Sequence, residues 1–326
     1  MKISVALCTY NGAHFLDEQL SSLLAQTRLP NELVVCDDGS TDGTLQILAD
    51  FQSRAPFPTR LYVNPVNLGP AKNFEQAIGL CDGDLIALCD QDDVWMPEKL
   101  GEAEAHFDKF PDIDAVFSDA LIVDSELRPL TYTLWRQVGF TRAERQMMAD
   151  GRGLEVLLKH VTVTGATLTI RSSLRQRALP IPTGWMHDAW VAVIAAASGG
   201  LRAIPAALIF YRQHDSNEIG ARRPSLAERW RDTFHTDRMS YYNGEITRYH
   251  VVKERMLSFP GNLRADSPIL LEAKLRHLRV RANLPTMRLL RILPILTELA
   301  TLGYRRYSFG WQVAVKDFLL PAKPTA

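Results

Sequence analysis

The 326-residue chain is long enough for one large α/β domain with an appendage or for two modest domains, and its 46% hydrophobic and 23% charged residues exclude collagen-like and disordered classes. The net charge is zero, yet residues 270–326 hold ten Lys/Arg against three Asp/Glu, so the remainder is net acidic, which argues against a nucleic-acid-binding core. No uninterrupted run of eighteen apolar residues would span a bilayer, and Met1–Val5 enters a strand pattern without a signal peptide's apolar stretch, so a cytoplasmic location is expected.

In chain order, the apolar runs Ile3–Cys8, Leu33–Cys36, Leu61–Val63 and Leu85–Cys89 read as strands. Helices fit between them. Leu16, Leu20, Leu23 and Leu24 recur at helical spacing within Ala13–Thr27, as do Leu45, Leu48 and Phe51 within Thr44–Gln52, where Asp42 is placed to cap the start. Such alternation predicts an α/β fold, a Rossmann-type, mainly parallel sheet flanked by helices, with ligands at the carboxyl ends of the strands. Each of the four strands runs into a polar segment: Cys8-Thr9-Tyr10-Asn11, Asp37-Asp38-Gly39-Ser40, Asn64 to Asn73, and Asp90-Gln91-Asp92-Asp93. Beyond a helix at about Pro97–Phe110 come short β-like runs at Ala115–Phe117 and Leu121–Val123, and residues 124–160 show no clear pattern. A strand is expected over Val161–Ile170, a helix over Asp188–Ala197, a strand over Ala203–Tyr211, and a helical region from Pro224 onward. Cys8, Cys36, Cys81 and Cys89 lack zinc spacing and read as small buried thiols, as suits a reducing compartment.

Three carboxylates within four residues, Asp90, Asp92 and Asp93, would repel one another unless a cation sits among them, and hard oxygen ligands favour Mg²⁺ or Mn²⁺. A solvated acidic turn is the alternative. Asp38 can accept from a nucleobase or ribose, and Tyr10 can offer an aromatic face to the base; an Asx turn and core packing are the competing readings. Neither the Gly-x-Gly-x-x-Gly nor the Gly-x-x-x-x-Gly-Lys-Ser/Thr phosphate cradle is present, so a metal would have to neutralise a diphosphate, with Lys72 as a candidate helper.

At these residues the sequence resembles the family-2 inverting glycosyltransferases, which have the GT-A fold. Ser4–Asn11, Glu32–Asp42 and Asn67-Leu68-Gly69 match the family's opening, Asp90–Asp93 followed by Val94–Leu100 its DXD element, and Thr164–Thr167 and His187–Trp190 its acceptor-side and catalytic-base segments. Tyr211–Gly220 is similar to a stretch of rhamnosyltransferase-like members. The resemblance implies donor contacts at Thr9, Tyr10, Asn11, Asp38, Lys72, Asp90 and Gln91, metal ligation by Asp92 with His214, acceptor contacts at Gly165, Ala166, His187 and Trp190, and Asp188 as the base. It implies a nucleotide-diphosphate sugar donor (dTDP-rhamnose or a UDP-sugar), a glycan or lipid-linked glycan acceptor, and a role in bacterial surface polysaccharide synthesis.

On this reading residues 1–223 form the transferase domain, donor half about 1–120 and acceptor half about 121–223, and 224–326 a helical region. Basic residues from Lys274 to Arg291 alternate with leucines, which suits either peripheral contact with the inner face of the plasma membrane or a packed helix with a solvated basic face. Two other functions fit the acidic motif: a phosphatase of the haloacid dehalogenase type, disfavoured because three strand-like runs precede Leu85–Val94, and a non-catalytic nucleotide-sugar-binding protein.

Overall fold

The computed structural model describes residues 1–214 and 238–319. They form two compact units, the first Met1–Gly151 with the described residues from Thr162 to His214, the second Arg152–Val161 with Arg238–Leu319. The division expected after residue 223 lies outside the described residues. The excursion of Arg152–Val161 into the second unit has no counterpart in the sequence pattern.

In the first unit, β1 (Ile3–Thr9), β2 (Glu32–Asp37), β3 (Thr59–Val63), β4 (Leu85–Cys89), β5 (Val94–Trp95), β6 (Ala115–Val123), β7 (Pro129–Thr133), β8 (Leu168–Arg171) and β9 (Leu201–Arg212) share one sheet. Its order is β3-β2-β1-β4-β8-β6-β9-β5, with β7 paired to β6. The helices α1 (Leu16–Leu24), α2 (Thr44–Arg54), α3 (Pro70–Leu80) and α4 (Lys99–Lys109) follow β1, β2, β3 and β5; next come α5 (Leu134–Val138) and α6 (Arg142–Ala149). In the second unit α7 (Gly153–Leu157) packs on Ser267–Ala282, and α8 (Arg175–Ala178) and α9 (His187–Ala197) return to the first. Every residue of β1, β2 and β4 is buried, as strands covered on both faces require.

The parallel sheet holds across β3-β2-β1-β4 and again between β6 and β9; β5, β7 and β8 pair antiparallel. Of the strand expected over Val161–Ile170 only its end is extended, because Gly165–Thr167 turns as a short 3₁₀ segment that brings Gly165 against His187. The runs at Ala115–Phe117 and Leu121–Val123 are one strand, β6, whose register against β9 shifts around Asp119. That buried carboxylate accepts the N–H groups of Ala120 and Trp135, 2.8 and 2.9 Å away, at the irregularity. Asp42 accepts from the Thr44 amide and hydroxyl at the start of α2, though Gly43 occupies the cap position itself. All four cysteines are buried and unpaired.

The second unit is helical, with Arg238–Leu257, Ser267–Ala282, Ile292–Ala300, Gly303–Tyr307 and Trp311–Leu319. Leu284, Ile295, Tyr304 and Ala314 form a small apolar core. Lys274, Arg281 and Arg291 are buried, so the basic stripe expected at the surface is turned partly inward. Each has a partner: Lys274 donates to the Tyr307 carbonyl, Arg281 pairs with Asp317, and Arg291 donates to the carbonyls of Pro285, Thr286, Asp317 and Phe318. Among the described residues no helix is long and apolar enough to cross a membrane.

Candidate active site

The carboxyl ends of β1, β2 and β4 are adjacent because β1 pairs with both others, Thr9 opposite Asp37 and Leu7 opposite Cys89. The polar loops after these strands are tied to one another. Gln91 accepts from the Tyr10 amide at 2.8 Å and donates to the Tyr10 carbonyl at 3.0 Å, a two-point clamp between the first and fourth loops. A Cβ on Gly12 would lie 2.1 Å from the Gln91 amide oxygen, so a larger residue there would displace the Gln91 side chain from its clamp. Asn11 adopts a left-handed conformation at φ 47°, which asparagine tolerates better than most residues, and its side chain accepts from Thr41.

Asp37 is absorbed by the loop it starts, accepting from Thr9 and from the Ser40 amide and hydroxyl. Asp38 is 3% exposed and accepts from Asn64, Leu68 and Gly69, each at 2.8 Å. Most of its acceptor capacity is taken, so it fixes the Asn67-Leu68-Gly69 loop as well as standing at the rim. Thr9 is likewise 2% exposed, whereas Tyr10 is 46% exposed and open to a stacking partner.

The acidic motif lies between β4 and β5. Asp90 is pushed up, first by burial and then by the negative charges of Asp92 and Asp188, with Lys99 opposing. Asp93 is raised further by burial, Asp92 and Asp90, and its Oδ2 is buried with no hydrogen-bond partner. The Tyr211 hydroxyl is raised by burial and then by Asp93, Asp90, Asp92 and Asp188, so all four carboxylates act on one side chain. The Cys8 thiol feels both Asp90 and Asp38. Asp38, Asp90, Asp92 and Asp188 are thus brought to one rim, as the sequence motifs imply.

Among the described residues, no group of three or more His, Cys, Asp or Glu side chains is arranged as a complete metal site. The donor set nevertheless suits a divalent cation: His214 Nε2 lies 3.0 Å from Asp92 Oδ2, and the crowded carboxylates are charge-deficient on the positive side. Mg²⁺ and Mn²⁺ commonly take only one or two protein carboxylates and fill the remainder with substrate phosphates and water. The His214 ring is held against Phe15 at a centroid distance of 4.7 Å.

Asp188 begins α9, and its two oxygens accept from the Ala189 amide at 2.6 Å and the Gly165 amide at 3.1 Å. Its neighbours serve the fold. Trp190 is fully buried and donates to the Ala178 carbonyl, and Ala166 is fully buried. His187 is 5% exposed, stacks on Phe74 at 4.0 Å and is kept neutral by burial. A Cβ on Gly165 would lie 2.5 Å from His187 Nε2. Gly165, Ala166, His187 and Trp190, expected as acceptor contacts, are all buried. Lys72 is on α3, where its ammonium is engaged by Glu75 at 2.7 Å and the Ile181 carbonyl at 2.8 Å. It lines a cleft of about 540 Å³ with Leu68, Glu75, Gln76, Leu179 and Pro180, which none of the rim carboxylates lines.

Three contributors lie inside the quoted motif segments, which assign them no role. Arg212, 1% exposed, donates its amide to Asp93 and its Nε to the Asp92 carbonyl, both within 3.0 Å, and its other nitrogens meet Ser125 and Glu18. Lys99, 2% exposed, lies 4.3 Å from the Trp95 ring and opposes the charges of Asp90 and Asp93. Tyr211 is the third. Their signal was a cation or phenol closing an otherwise apolar strand or opening a helix, which sequence alone does not distinguish from a snorkelling side chain.

The family model for glycosyl transferase family 2 matches residues 4–176. A dTDP-rhamnosyl transferase of Shigella flexneri is 30% identical over 231 residues, 66% of this chain and 74% of its own length. The matched stretch spans 59% of the length of uncharacterized mycobacterial relatives that are 27% identical. Staphylococcus aureus TarS residues 1–349 in complex with UDP-GlcNAc superpose with a TM-score of 0.55 at 19% identity, covering 94% of this chain and 89% of that TarS chain. The Pyrobaculum calidifontis mannosyltransferase with GDP-Man and Mn²⁺ gives 0.50 at 18%, covering 97% and 85%. At such identities the likeness establishes the fold.

Proposed function

The chain belongs to glycosyl transferase family 2 and has the GT-A fold, and from that premise we propose that it is a metal-dependent, inverting transferase moving a sugar from a nucleotide diphosphate to a glycan or lipid-linked glycan acceptor. The observation that carries this reading is the shared electrostatic neighbourhood of Asp90, Asp92 and Asp188 at one sheet rim. The tyrosine at position 10 receives the nucleobase, and Asp90, with Gln91 clamped beside it, faces the ribose. Asp92 and His214 would hold Mg²⁺ or Mn²⁺, which when bound supplies positive charge to the departing diphosphate. Arg212 fixes the backbone of Asp92 and the carboxylate of Asp93, so the acidic loop is set before substrate arrives. Asp188 takes the proton of the acceptor hydroxyl as that oxygen attacks the anomeric carbon opposite the leaving nucleotide. The two backbone N–H groups on Asp188 fix its orientation for that transfer.

Rhamnose, carried by deoxythymidine diphosphate, is the donor sugar we favour. The Shigella relative is named for that donor, and Tyr211–Gly220 is similar to the rhamnosyltransferase stretch, of which residues 215–220 lie outside the described residues. Its relatives' names support a place in polysaccharide synthesis, including an abequosyltransferase 32% identical over 115 residues. Thermal shift with Mn²⁺ across dTDP-rhamnose, UDP-sugars and GDP-mannose, followed by acceptor-free hydrolysis, tests the reading. A shift with one nucleotide sugar and slow release of its sugar are expected. Absence of any metal-dependent shift would overturn it, and binding without turnover would favour a non-catalytic nucleotide-sugar-binding protein.

A further inference from the structure

Within the second unit, the 3₁₀ turn Arg288–Arg291 and the helix Ile292–Ala300 display apolar side chains outward. Leu289 and Leu293 are 73% and 74% exposed, Met287, Leu290 and Leu296 are more than half exposed, and Ile292 is 41% exposed. Ile292, Leu293 and Leu296 occupy one helical face, and Ile295 and Glu298 on the other are buried. Scattered exposed leucines are ordinary, but a contiguous run of this kind marks an interaction surface.

Charge selects the partner. From Asn283 to Leu319 the only carboxylates are Glu298 and Asp317, and both are buried, the first on His277 and the second on Arg281 and Tyr304. The exposed charged residues of this stretch, Arg288, Arg305 and Arg306, are all cations. A second copy docked on the same face about a twofold axis would set cation against cation. An anionic bilayer offers hydrocarbon to the leucines and negative headgroups to the arginines. Trp311, 68% exposed, is of the type enriched at such boundaries.

We propose that residues 287–296 are an interfacial anchor that inserts Leu289, Leu290, Leu293 and Leu296 into the headgroup boundary of an anionic membrane, with Arg288, Arg305 and Arg306 meeting the lipid phosphates. This surface is the exposed end of the basic, leucine-rich stripe read from the sequence, whose Lys274, Arg281 and Arg291 are buried. It also stands apart from the donor reading, because it is measured without substrate.

The full chain would be sedimented with vesicles of phosphatidylcholine alone and of an equimolar mixture with phosphatidylglycerol. We expect binding to the mixed vesicles, little to the neutral ones, and about a tenfold or greater loss of partitioning for Leu290→Ser combined with Leu293→Ser. Arg305→Gln with Arg306→Gln should lower binding several-fold and flatten its salt dependence. Unchanged melting temperatures would show that these surface variants fold. Wild-type chain left in the supernatant with mixed vesicles, or a leucine variant that binds equally well, would overturn the proposal. So would a vesicle-free dimer that the leucine variant dissociates, since the face would then be a self-association surface.

Discussion

Both units bury several ionisable groups, and they do so in opposite ways. In the helical unit several buried groups meet their complement: His277 lies between Glu298 at 2.6 Å and Ser308 at 2.9 Å, and Arg281 pairs with Asp317, which also accepts from Tyr304. At the sheet rim like charges are gathered instead, Asp90 and Asp93 are driven upward by burial and then by their neighbours, and Asp93 keeps an oxygen without a partner. Buried polar groups are nearly always satisfied. On the proposed reading the gathered carboxylates serve a ligand, whereas the paired network of the helical unit serves the fold.

If that contrast is right, Asp188→Asn should reduce sugar transfer by roughly 10²–10⁴-fold with donor affinity unchanged, the usual worth of a general base. Steady-state transfer alongside donor thermal shift checks it; near wild-type turnover would return Asp188 to the structural class. Asp317→Ala should do the converse, leaving chemistry per folded molecule intact and removing roughly 3–5 kcal/mol of stability, because Arg281 and Tyr304 would lose a buried partner. Denaturant unfolding measures this, and a loss under about 1 kcal/mol would show that the network is solvated.

Two rim substitutions sharpen the comparison. Asp92→Ala should abolish the stabilisation by Mn²⁺, and a retained shift would place the cation elsewhere. Asp90→Asn should raise the melting temperature of the metal-free protein at alkaline pH. The sign follows from linkage: a carboxyl whose folded pKa is raised contributes stability that is fully present below its unfolded pKa and lost as pH rises through the folded one. The amide cannot ionise, so it escapes that loss. A lower melting temperature at every pH would mean that Asp90 is a satisfied structural carboxylate.

The parallel core was legible because β1, β2 and β4 are continuous apolar runs ended by polar loops, and the order of those loops located the rim. Asp90, Asp92 and Asp188 could be named because several motifs with fixed spacing occurred together. What failed has a common cause. Trp190 and His187 lie next to Asp188 in sequence, but on a helix buried around most of its girth proximity along the chain does not give proximity to substrate. Arg212 acts through contacts 87 to 194 residues away, and Lys99 through burial beside Trp95 and the charges of Asp90 and Asp93, neither of which shows as a local pattern. Alternation of arginine and leucine around residue 280 could not reveal that Lys274, Arg281 and Arg291 would find partners inside.

Lys274 supplies the smallest test of the same contrast, because it is a buried cation whose contacts are a single carbonyl at 3.1 Å and the face of Tyr249 at 5.1 Å. Burial lowers its pKa from 10.5 to about 8. Between those values the unfolded chain keeps a proton that the native state has released, so this lysine's contribution to stability rises with pH across that window. Lys274→Met removes the titration. The stability of the variant relative to wild type should therefore decline steadily from pH 8 towards pH 10.5, read as the difference between two melting curves so that the tyrosines common to both cancel. A difference that does not move with pH would show that the ammonium reaches water, and that the helical unit tolerates Lys274 as a snorkelling side chain rather than as a neutralised one.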